Sequence, residues 1–309
     1  MEKKRGQHYV WRYYLTSWTD DSEKLSCLRN NNLFPANPKK IAKARDFYRL
    51  RDLSQDEIAI IEQGFINGYH TEEIQKINRE WINVFTSIFR DKKVLEQKGE
   101  WDDKKEAELD VHMNNLVEDF HSRIEDLALP YLDSLKNSNL DFLDSEISKF
   151  DFMFFLCLQY FRTNMMKNNI LKSFESGSVP IPSTFIENVW SVLYFIFATN
   201  LAVTLSSSNS FRFLMLKNNS TIPFITGDQP VINTHANYSV YEETKEFELY
   251  YPLTPSLALL ITDSNNYNEN QSIFEVQENE VTLYNNLIFN ASYEQIFANN
   301  ETVLKSFKK

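Results

Sequence analysis

The stretch GQHYVWRYYL, residues 6–15, puts a glutamine, a histidine and an arginine into one short aromatic run. Read as a strand, it sends alternate side chains to opposite faces. His8, Val10, Arg12 and Tyr14 then share one face, and Gln7, Tyr9, Trp11 and Tyr13 the other. His8 and Arg12 would lie about 13 Å apart on that face. An imidazole titrates near neutrality and can give or take a proton. Next to a guanidinium it could do acid–base work on an anion. The structural alternative is a hydrogen-bonded core histidine and an arginine whose stem lies along aromatic rings.

A second polar group interrupts the apolar run LCLQYFRTNMM. Gln159 and Arg162, three residues apart, can share a helix face, with Thr163 beside them. A buried guanidinium needs a carboxylate or a ligand anion. Arg162 is therefore either an oxyanion clamp or half of an ion pair with an acid such as Asp228 or Glu62. A third group lies in PFITGDQPVIN, where an apolar strand ends in Gly227-Asp228-Gln229-Pro230. Asp228 would face a cleft from the strand end, or close a local turn on its own backbone. His8, Arg162 and Asp228 form the candidate catalytic set. Gln7, Arg12, Gln159, Thr163 and Gln229 form the candidate binding set. Glu62 and Asp228 are the candidate ligands for a divalent metal.

His112 and His121, nine apart on a helix, face opposite ways and make a poor metal pair. His70 and His235 show no ligand spacing. No phosphate-binding glycine loop, HExxH or GxSxG is present. Cys27 and Cys157 are far apart, and Cys157 sits in an apolar run, which indicates a buried thiol and no disulfide framework.

The elements that must position these groups follow from pattern and composition. The chain has 309 residues, 42% of them hydrophobic and 14% aromatic, enough for a large core. Its net charge of −11 lacks the basic footprint of a protein that binds long nucleic acid. A small substrate, an RNA end or a protein partner fits better. The N-terminus has no apolar signal core. Residues 189–205 are apolar throughout but read as a core helix and not as a membrane span, so the expected location is cytoplasmic.

Residues 16–40 read as loop. Ser54, with Glu57 three residues on, signals a helix start. Apolar residues at three- and four-residue spacing predict helices from 71 to 128, with Leu109, Met113, Leu116, Phe120 and Ile124 on one face, and Pro130 breaking or kinking the run. Further helices are expected at 144–167 and 183–205. After 210 come short β-type runs, including SIFEVQENEVTLYNNLIFN, and then a final short helix. The expected fold is α+β in one domain over 1–309: a central helical lobe at 54–205, and a mainly antiparallel sheet at 210–290 joined by the N-terminal strand 7–15.

QHYVWRYYL, FYRL…IAIIEQGF, LQYFRT, FITGDQPV and YPLTPSLALL, in that order, resemble the bacterial family called domain of unknown function 4238. Its members open on a QHYVPR-like segment and carry LQxxRT-like, FITSDNPV-like and YPLSP-like segments. Here Trp11 stands for the usual Pro, and Gly227-Asp228-Gln229 for Ser-Asp-Asn. The family name carries no activity. The resemblance implies a bacterial, cytoplasmic setting among accessory or defence genes.

Two functions are consistent with these residues. The first is a nuclease-like phosphoester hydrolase acting on RNA or a nucleotide, in antiviral defence or a toxin system. There His8 is the acid or base, the arginines hold phosphate, and Asp228 orients His8 or binds metal. The second is a non-catalytic ligand-binding module that docks a protein partner through the acidic helical lobe.

Overall fold

A computed structural model describes residues 2–68, 71–175, 182–236, 246–268 and 271–308. The fold is α+β, with a large helical lobe and mostly antiparallel sheets. The first strand, β1 (Gly6–His8), is short, and it pairs with β4 (Lys43–Arg45) and not with the C-terminal sheets. The expected strand 7–15 therefore stops early. At Arg12 the chain turns into a short helix, α1 (Arg12–Thr16). Packing overrides strand propensity here. The helical turn buries Tyr14, stacked on Tyr251 at 5.0 Å, where its hydroxyl meets Thr226 Oγ1 and the Pro252 carbonyl at 2.6 Å each.

The region expected to be loop holds a hairpin, β2 (Leu25–Arg29) and β3 (Asn32–Ala36). Asn30 and Asn31 take φ of 50° and 62°, the left-handed conformation of a two-residue hairpin turn. This hairpin, and not residues 7–15, carries the N-terminal region into a C-terminal sheet. The four-stranded sheet runs β3-β2-β11-β6, with β6 (Thr226–Gly227) and β11 (Gln295–Ala298). A five-stranded sheet runs β10-β5-β9-β8-β7, built from β5 (Arg212–Asn218), β7 (Ile232–Asn233), β8 (Glu248–Thr254), β9 (Leu257–Thr262) and β10 (Ile273–Val276). Only β10 with β5 is parallel among the described pairs.

The lobe begins at α2 (Gln55–Ile61), capped by Ser54 and Glu57 as their spacing predicts. α3 (Glu72–Gln97) and α4 (Asp103–Lys136) follow, and α4 runs through Pro130 unbroken. Its buried stripe is Asn114, Val117, His121, Glu125, Ala128 and Leu132; of the predicted face Leu109 is buried, and Met113, Leu116, Phe120 and Ile124 are partly buried. The expected helix at 144–167 is two, α5 (Glu146–Phe161) and α6 (Asn164–Glu175), parted at Arg162 and Thr163. α7 (Ser183–Ser207) is long and apolar enough to cross a membrane by length and composition, but it lies mostly buried against α5. Residues 278–291, expected to be β-type, form α8 (Glu278–Ala291), and the last helix is α9 (Glu301–Lys305). Helices and sheets share one buried cluster that runs from Tyr9 to Leu304.

Candidate active site

His8 ends β1 opposite Lys43, and Arg12 opens α1. The turn between them brings both side chains to the same cavity, of about 270 Å³. Trp11 forms part of the wall, with its ring edge-on to Phe155 at 5.6 Å. Its φ of −59° is the value a proline ring would impose, and the indole adds a surface to the cavity. The opposite wall is one face of α4: Glu118, His121, Ser122, Glu125 and Asp126.

The two histidines differ in availability. His121 is buried, and its Nε2 meets the Tyr194 hydroxyl at 2.8 Å. Burial and the nearby Arg162 charge hold it neutral. His8 is half-buried. Burial first, then Lys43, Arg12 and Arg162, lower it to about 4, against a hydrogen bond to the Pro38 backbone. Its Nε2 is itself buried and has no hydrogen-bond partner among the described residues. At neutral pH His8 is thus an uncharged imidazole that can accept a proton but cannot donate one as imidazolium. Glu118 behaves in the opposite way. Burial pushes its carboxyl up to about 7, against the pull of Arg162 and helped by Glu125. It is poised to hold or release a proton near neutrality.

Arg162 follows the last turn of α5 and is fully buried. Its Nη2 lies 2.7 Å from Glu125 Oε1 and donates to Gln159 Oε1 at 2.6 Å. Its ion-pair partner is Glu125, not Asp228 or Glu62. Burial raises Glu125, and the guanidinium draws it back. Arg162 backs the cavity electrostatically, acting on His8, Glu118 and His121 without lining it.

Asp228 does not reach this cavity. Its carboxylate accepts the backbone N–H groups of Tyr293, Glu294 and Gln295 at 2.7, 2.8 and 3.2 Å. It anchors the chain entering β11, near Tyr9, whose hydroxyl accepts from Gln295 Nε2 at 2.7 Å. Gly227 beside it leaves room for the Ser292 side chain, since a Cβ there would lie 3.2 Å from Ser292 Cβ. Gln229 holds the end of α5 to this turn: Nε2 donates to the Tyr160 and Val231 carbonyls, and Oε1 accepts from Thr163. Gln7 bridges the Asn114 carbonyl and the Tyr48 amide. These residues tie elements together and leave no side-chain group for a ligand in the His8 cavity.

The metal pairing of Glu62 with Asp228 does not form. Glu62 is half-buried on the turn after α2, 3.7 Å from Arg79, and both Asp228 oxygens are taken by backbone amides. Among the described residues, no three His, Cys, Asp or Glu side chains are arranged to hold a metal ion. His112 is exposed, His235 lies 3.5 Å from Glu246, and His70 lies outside the described residues.

A family model described as protein of unknown function (DUF4238) matches residues 6–178 and 195–302. The chain belongs to the DUF4238 family. No curated protein and no solved structure matches it. Of the residues singled out by the family segments, His8, Arg12, Gln159 and Arg162 gather at or behind the cavity, while Gln7, Asp228 and Gln229 support the frame. Glu118 and Glu125 go unflagged when α4 is read by its apolar residues, and His121 enters the sequence reading only as a poor metal partner of His112. Spacings of three, four and seven put these three on one helix face, and polar groups inside a buried stripe were the available signal.

Proposed function

We propose that this DUF4238 member is a bacterial cytoplasmic hydrolase acting on a phosphoester in RNA or a nucleotide. The observation that carries the reading is that a neutral His8, whose buried Nε2 has no hydrogen-bond partner among the described residues, and the raised Glu118 carboxyl line one cavity. In this reading His8 takes the proton from the attacking water. The water oxygen bonds to phosphorus as the ester P–O bond breaks. Glu118 then gives its proton to the departing oxygen. Arg12, exposed on the cavity wall, faces the phosphate charge. The antiviral or toxin setting rests on the family resemblance alone. A panel of single-stranded RNA and nucleotides tests the reading. Turnover by the native protein, lost by about 10²-fold or more in His8→Ala and Glu118→Gln while both variants stay folded at the assay temperature, supports it. A folded protein with no turnover contradicts it.

Arg162 favours a second reading. It is paired with Glu125 and fully buried, so it cannot grip a phosphate in the cavity, and Glu118, Glu125 and Asp126 make the α4 wall acidic. A non-catalytic module that binds its ligand there, docking a partner through the acidic lobe, accounts for the same groups. Saturable ligand binding without turnover would select it.

A further inference from the structure

A second cavity, of about 290 Å³, lies between residues 46–51, α6 and α7, on the other side of Tyr194, whose hydroxyl meets His121 of the α4 wall at 2.8 Å. Its charges are mainly basic. Arg51 donates to the neutral Asn188 side chain at 2.7 Å and has no ion-pair partner among the described residues. Lys167, half-buried on α6, likewise has no ion-pair or side-chain hydrogen-bond partner among them. Arg49 is held by Asp110 at 2.8 Å. The acids on the lining are Asp46, which faces Arg45 at 3.6 Å and keeps a buried Oδ1 without a partner among the described residues, and Glu187, whose charge offsets part of that of Lys167. The third feature is Trp190. It lines the cavity, is 6% exposed, and its indole N–H has no acceptor. A buried donor without an acceptor is rare and costly. Two incompletely offset cations and an unsatisfied N–H make a set that an acceptor-only anion would complete.

We propose that this cavity is a binding site for a phosphate group on a small molecule, held by Lys167 and Arg51 with Trp190 Nε1 as a further donor. Burial lowers Lys167 from its usual value, and a bound anion would restore it. The site is separate from the His8 cavity, and its occupancy is measured without any turnover.

Calorimetry of the full chain at constant ionic strength tests this with inorganic phosphate, adenosine monophosphate and adenosine. Phosphate and the monophosphate should bind at about 1 mM or tighter, and adenosine should not. Lys167→Met and Arg51→Ala should each weaken binding roughly tenfold. Trp190→Phe, which keeps the packing, should weaken it about threefold. The proposal is overturned if phosphate gives no saturable heat. It is equally overturned if binding survives Lys167→Met with Arg51→Ala and is lost in Arg12→Ala, because the anion then sits in the His8 cavity.

Discussion

Arg162 and Glu125 meet over 2.7 Å with the guanidinium fully buried, at the back of the cavity that His8 opens onto. This pair joins the end of α5 to the middle of α4. Breaking one half of such a pair leaves the other charge buried without a counter-ion. Arg162→Ala should therefore cost about 3–5 kcal/mol. Replacing both, as Arg162→Met with Glu125→Leu, should recover much of that loss. Urea unfolding of the two singles and the double measures the coupling, and purely additive losses would mean the pair is not formed.

Glu118 should make the protein less stable as pH rises. Its folded value of about 7 lies above the ordinary carboxylate range, so the native state holds the proton longer than the unfolded chain does. Stability contributed by the protonated form is present below about 4.5 and is lost as pH rises through 7. Glu118→Gln removes that slope. At pH 8 the variant should be more stable than the native protein by on the order of 1–2 kcal/mol, after discounting for solvent access. Melting curves at pH 5 and pH 8 check this, and an unchanged difference between the two proteins at both values would refute it.

Asp228→Ala should destabilise without touching the chemistry. It strands three backbone N–H groups at the entry to β11. The expected cost is about 2–4 kcal/mol. Turnover per folded molecule should stay within about threefold of native, since Asp228 does not line the cavity. A loss as large as that of His8→Ala, measured at a temperature where both are folded, would return Asp228 to the active site.

The sequence disclosed the polar groups better than their partners. His8, Arg12 and Arg162 were legible because each breaks an apolar or aromatic run. The α2 start was legible because Ser54 and Glu57 state their own hydrogen bonds. Two elements were hidden for local reasons. Strand propensity over residues 9–15 lost to the burial of Tyr14 and Leu15, and Asn30-Asn31 looked like loop while forming a hairpin turn. The partner of Arg162 was hidden for a long-range reason. Glu125 lies on a helix crowded with exposed acids, and only the packing of α4 on α5 selects it. Asp228 was misread because the backbone amides that hold it leave no trace in side-chain pattern.

The most direct test of the central claim is the pH dependence of turnover on a phosphoester. With His8 free only above about 4 and Glu118 protonated only below about 7, the native rate should be level between those values and fall on both sides. Glu118→Gln should lower the rate and abolish the alkaline fall while keeping the acid one. A native profile without the alkaline limb, or a limb that survives Glu118→Gln, would contradict the assignment of this carboxyl as the proton donor.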